Sequence, residues 1–173
     1  VEVILRESTE VVRHKPGVLV VAHRLGLVLA NAGVDQSNIE HREEGDRVLL
    51  LPENPDRSAE ELRRRVEERT AKRVGVVISD SLGRAWRLGT VGIAIGAAGI
   101  PCLVDLRGRP DLFGRPLRVS EEAVADELAA AASLLQGQGA EGRPAVLIRG
   151  FSAPAPSQPA RHLVRPREED LFR

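Results

Sequence analysis

Three side chains could begin a site: Asp35 in the stretch ANAGVDQSN, and the pair Asp80–Ser81 in VISDSLGRAWRLGT. A carboxylate followed by a hydroxyl offers hard oxygen donors, the kind that magnesium and manganese take while keeping waters for bound phosphates. Arg84 and Arg87 stand three apart, spaced to reach one anion together. A structural alternative exists for each. Asn31, Asp35 and Asn38 are also turn residues, because Asn, Asp and Gly tolerate left-handed angles and bond their own main chain. Alone, that stretch reads first as a turn. Asp80 can likewise cap a turn at its strand end, beside two surface arginines. With two aspartates each at a strand end, where α/β folds place ligands, metal binding moves slightly ahead.

Other segments carry weaker signals. Glycines at 89, 92, 96 and 99 lack the G-x-G-x-x-G spacing of a dinucleotide fingerprint and point to close backbone packing. DLRGRPDLFGRP sets Arg107, Arg109 and Arg115 against Asp105 and Asp111, as an anion clamp or as a solvated, salt-bridged loop. QGQGAEGR, Gln136 to Arg143, follows a helix rather than opening one, so a glycine cap and a loop fit it better than a phosphate loop. His23 and Cys102 read as core residues, and no Ser-His-Asp order is legible.

The elements that must hold these residues follow from periodicity. Val1, Ile4, Leu5, Val11 and Val12 have a loose helical spacing, and GVLVVAHRLGLVLANAG reads as one long strand or a bent pair around Gly26. Ser58 with Glu61 forms a capping box for a helix running to about Lys72, with Ala59, Leu62 and Val66 on its buried face. VGVVISD is a buried strand ending at Asp80, and PCLVDLRG a further strand. Ser120 caps a second helix with Glu121 and Glu122 in its first turn, a stripe of Val124, Leu128, Ala132 and Leu135, and a stop at Gly137. PAVLIRG is the last strand. The order β, α, β, β, α, β predicts an α+β (mixed α/β) domain with a mixed sheet flanked by helices over residues 1–150. Residues 151–173 form a Pro-rich linker and an acidic tail.

Composition removes several classes. The 25 basic and 25 acidic residues cancel, which argues against binding nucleic acid through a net basic field. Aromatics are 2% of the chain, too few for a base-stacking platform of several rings. The single cysteine excludes an internal disulfide and fits a reducing cytoplasm. No apolar run approaches the roughly 20 residues that span a bilayer, and no signal peptide is visible. The absence of methionine, with a first residue already inside a patterned segment, predicts a fragment lacking an N-terminal part.

Together, ANAGVDQSN, LLPENPDRSA, ISDSLGRAWRLGTVGIAIGAAG, RGRPDLFGRPL, the helix with QGQGAEG and LIRG, and the ending EEDLFR resemble one family in its own order, the coenzyme F-420 gamma-glutamyl ligases. The resemblance implies that family's fold and a GTP-dependent amide ligase that adds L-glutamate to a deazaflavin coenzyme F-420 precursor through an acyl phosphate. Magnesium or manganese, and potassium, would be cofactors, in a cytoplasmic homodimer with no nucleic-acid or membrane partner. Residue by residue, it makes Asp35 and Asp80 ligands of one metal, and Ser81, where the family more often has Thr, and Gln138 ligands of a second. Asn38 would contact GTP, as would the loop Gln136, Gly137, Gln138, Gly139, Ala140, Glu141, Gly142 and Arg143, which reverses the plain-loop reading. Arg84 and Arg87 would neutralise charge during transfer, a chemistry of positioning that needs no protein nucleophile. About 70 family residues precede the first residue here, part of the GTP site among them, so a truncated, non-catalytic dimeric scaffold is the rival expectation. An amide ligase of the same fold acting on another acid is the third.

Overall fold

The computed structural model describes residues 1–39, 47–152 and 155–172; Ala153 and Pro154 of the Pro-rich stretch and Arg173 of the tail lie outside them. Helix α1 (Glu2–Arg6) is a single turn with no buried residue, and the apolar positions after it belong to a strand. Strands β1 (Ser8–Lys15), β2 (Val18–His23) and β3 (Val28–Ala30) form an antiparallel meander in the order β1-β2-β3. The GVLVVAHRLGLVLANAG run is therefore a bent pair: Val21 opposes Leu29, and the chain turns through 24–27. The loose helical spacing over the first fourteen residues gives way to sheet because β-branched Val11 and Val12 pack well on a pleated surface.

Helix α2 (Pro55–Thr70) begins one turn before Ser58. Its cap is Asn54, whose Oδ1 accepts the Arg57 N–H at 3.0 Å, and Pro55 follows at the first helical position, which needs no N–H donor. That pairing overrides the Ser58–Glu61 box. The helix stops at Thr70, with Ala71 left-handed, rather than at Lys72. Ala59 is fully buried, but Leu62 and Val66 are exposed.

Strands β4 (Val76–Arg84) and β5 (Arg87–Ala98) form a long hairpin. Asp80 and Ser81 therefore lie mid-strand, opposite Ile93 and Gly92, and not at a strand end. Short β6 (Val104–Asp105) and β7 (Glu121–Glu122) pair antiparallel, so Glu121 and Glu122 sit in a ladder instead of a helix turn. Helix α3 (Val124–Gln136) starts after Ala123 with no side-chain cap, buries Val124, Ala125 and Ala129, and leaves Leu135 exposed. Gly137 ends it as expected. PAVLIRG joins no described ladder, because strand propensity supplies no neighbouring strand. The architecture is α+β as expected, yet the expected mixed sheet is absent among the described residues: three separate antiparallel sheets take its place.

Both long helices lie on β5, and small residues allow it. A Cβ at Gly92 would stand 2.6 Å from the Ala129 carbonyl oxygen, and one at Gly96 would strike the Pro55 backbone. Around that contact Ala94, Ala97, Cys102, Ala125 and Ala160 make the core cluster. Each helix also offers β5 a carboxylate from its first turn. Asp126 Oδ1 accepts the Ala94 N–H at 2.8 Å, while Asp56 Oδ1 accepts the N–H groups of Ala97 at 2.9 Å and Ala160 at 2.7 Å. These bonds satisfy N–H groups that β4 does not reach, which would otherwise form an open sheet edge. Among the described residues, no helix is long and apolar enough to cross a membrane.

Candidate functional site

After β3 the chain makes a single 3-10 turn, Asn31–Gly33, with Asn31 and Ala32 in left-handed conformation. Asn31 is spent on structure: its Oδ1 accepts the Leu19 N–H at 2.9 Å and ties the turn to β2. Asp35 follows, its backbone bridged to Leu49 in both directions. Its carboxylate accepts the Ser37 N–H and hydroxyl, each at 2.7 Å. Those bonds, first among the causes, hold the Asp35 pKa below its ordinary value. Asn38 lies just beyond, exposed and with a φ of 54°. The turn reading thus accounts for Asn31 and for the shape of the loop.

Asp80 has the opposite electrostatics. Its Oδ1 accepts the neighbouring Ser81 N–H, at 2.8 Å. Burial pushes its pKa up, and the charge of Asp35 pushes it further. The half-buried Asp80 on β4 is therefore reluctant to ionise, and the exposed Asp35, in the loop after β3 and outside any sheet, adds to that reluctance. A cation between them would relieve both penalties. Among the described residues, no group of three or more His, Cys, Asp or Glu is placed to hold a metal ion. Two carboxylates with other positions left to water or phosphate oxygen suit magnesium or manganese, whereas a closed zinc site asks for four protein ligands.

Ser81 points away from this pair, because alternate residues of a strand face opposite sides. It shares its side with Gly92 and Thr90, the side beneath α3. The Thr90 hydroxyl stands 3.5 Å from Gln138 Oε1, which brings Gln138, just past the helix, to Ser81's face. The two expected donor sets, Asp35 with Asp80 and Ser81 with Gln138, thus occupy opposite faces of one hairpin.

In the loop after α3, Gln136 donates to the Pro144 carbonyl at 3.3 Å and Arg143 to the Leu135 carbonyl at 3.4 Å. The Gly139 N–H donates to the Glu141 carboxylate at 2.8 Å, and that carboxylate folds against Gly137. Ala140 and Gly142 are exposed. At the hairpin's far end Arg84 and Arg87 are direct cross-strand partners, joined by the turn Ala85–Trp86. Like charges so placed repel, a cost that an anion between them removes. Arg84 Nη1 is buried and without a hydrogen-bond partner. Sequence reasoning overlooked Trp86, although its being the only tryptophan was a signal, and it overlooked Thr90, which pairing alone reveals.

Neither buried nucleophile nor base enters the site. Cys102 donates Sγ–H to the Gln158 carbonyl at 3.0 Å, and burial pushes its pKa up to about 11. His23 accepts the Leu25 N–H on Nδ1 at 3.0 Å and keeps Nε2 3.3 Å from Glu7.

Residues 1–150 match the family model described as F420-0:Gamma-glutamyl ligase. The chain is also 49% identical over 173 residues to the Coenzyme F420:L-glutamate ligase of Methanocaldococcus jannaschii, covering 100% of this chain and 68% of that protein. The enzymes of the same name from Methanopyrus kandleri and Archaeoglobus fulgidus are 48% and 49% identical, with all of this chain and 69% and 67% of theirs covered. Near-half identity over the whole chain, with the family match across residues 1–150, leads to one conclusion: the chain belongs to the F420-0:gamma-glutamyl ligase family and is a ligase.

Proposed function

We propose that the chain takes part in joining L-glutamate to a coenzyme F420 precursor by an amide bond, driven by GTP through an acyl phosphate. The observation that supports this reading is Asp80, a half-buried carboxylate whose charge is disfavoured first by burial and then by the charge of Asp35, both of which a divalent cation would offset. Magnesium or manganese held there would neutralise phosphate charge, with Ser81 and Gln138 offering oxygen donors to a second ion and potassium a further cofactor. Asn38 and the loop Gln136–Arg143 would meet the nucleotide.

The chain's own residues then do electrostatic work. Arg84 and Arg87 receive the negative charge that moves as the γ-phosphoryl group passes to the acceptor carboxylate and GDP leaves. The amine of glutamate attacks the activated carbonyl, loses its proton and expels phosphate, so no covalent enzyme intermediate is needed. The engagement of Cys102 and His23 in the core agrees with that economy. Large exposed apolar residues, among them Leu62, Leu134 and Phe113, support a homodimer, and the lone buried thiol supports a cytoplasmic setting.

The test is direct. Chain, coenzyme F420-0, L-glutamate, GTP and manganese should give a product heavier by one glutamyl unit, with one phosphate released per amide formed. Phosphate release without amide, or no product with all substrates present, would contradict the reading.

A further inference from the structure

The four-residue turn Arg84–Ala85–Trp86–Arg87 gathers several features that cost stability. Trp86 is the chain's only tryptophan, yet it is 89% exposed and sits at a φ of 64°, a left-handed angle that a bulky side chain adopts only when its surroundings impose it. The hairpin holds the indole outward between two cross-strand arginines, and one of them keeps a buried Nη1 with no acceptor. Aromatic faces attract flat rings, and a guanidinium fork matches a phosphate. We propose that Trp86 is a stacking platform for the flat heteroaromatic ring of a phosphate-bearing ligand, whose anion lies between Arg84 and Arg87. This deepens the ligase reading and rests on it. Both the nucleotide and the deazaflavin acceptor have that chemistry, and the experiment separates them.

Because Trp86 is the only tryptophan, emission of the chain reports on this one position. Titrations with GTP, with coenzyme F420-0 and with inorganic phosphate give the three arms. One ring-bearing ligand should change the emission saturably, naming the source of the ring, while phosphate alone should not. By equilibrium dialysis, Trp86→Ala should weaken that ligand about tenfold or more, the scale of one aromatic–ring stack, while Trp86→Phe stays within about threefold and phosphate affinity is unchanged. Unchanged affinity of Trp86→Ala for both ring ligands overturns the proposal, as does an equal loss for phosphate. A variant that alters only the mass in light scattering also overturns it and makes Trp86 a subunit contact. If Trp86→Ala still adds glutamate with unchanged KM for both ligands, the stack falls and the ligase reading stands. If the wild-type chain binds neither ring and makes no amide, both fall.

Discussion

The two ends of the β4–β5 hairpin are built on opposite terms. At one end Gly92, Ala94, Gly96 and Ala97 let two helices touch the strand's backbone, and their first-turn aspartates close its free edge. The N–H groups of Ala94 and Ala97 find acceptors there in Asp126 and Asp56. At the other end stand opposed arginines, an outward tryptophan and an unpartnered guanidinium nitrogen, with Asp80 between the two ends facing the charge of Asp35. The contrast teaches that the packed end holds position, while the other end carries the exposed charge and ring that our proposal assigns to ligands.

Substitutions at the packed end should break this contrast first. Gly96→Val places methyl groups into the Pro55 backbone, which cannot yield without moving α2. We expect a loss of about 3 kcal/mol or failure to fold, the upper range for overpacking, measured by urea unfolding. Asp56→Ala removes the acceptor for the Ala97 and Ala160 N–H groups. It should cost about 2–3 kcal/mol, as expected for buried donors deprived of a charged acceptor, and should expose the 157–163 segment to protease.

A smaller effect should come from acid. Burial, then the charge of Arg24, holds the His23 pKa below its ordinary 6.5, so the folded chain keeps the ring neutral where the unfolded chain protonates it. Between those two values the unfolded state binds more protons. Stability present above pH 6.5 is therefore lost as pH falls toward the folded value. Melting from pH 7.5 to 5 should show that slope, and His23→Gln should flatten it. The least effect on stability belongs to the unsatisfied end: Gln138→Ala should move unfolding by only a few tenths of a kcal/mol. It should instead reduce the melting shift given by GTP plus manganese, and an unchanged shift would return the loop to a plain turn.

Much of the packed end was legible. Gly92, Gly96 and Gly99 meet neighbours closely, as their spacing predicts, while Gly89 meets none. Helix starts were misplaced where two local signals competed. Asn54–Pro55 outranked Ser58, and a two-residue ladder took Glu121 and Glu122 from α3. Strand ends were misjudged because the hairpin continues past Asp80 through Gly83 and Arg84, residues without a strand pattern of their own. The nearness of Asp35 to Asp80 could not come from periodicity, since 45 positions and the whole of α2 separate them in the chain. The residue types alone pointed both aspartates toward metal; that they would share one ion is implied by the family resemblance.

The central claim is that Asp35 and Asp80 together hold a divalent cation. Calorimetric titration of manganese into the wild-type chain and Asp80→Asn tests it most directly. Removing one charge from a hard-cation pair should weaken binding at least tenfold, about 1.4 kcal/mol, while the metal-free variant melts at the same temperature or higher because a half-buried, repelled carboxylate has gone. Equal manganese affinity in the two proteins would contradict the claim, and the carboxylates would then be neighbours without a shared ligand.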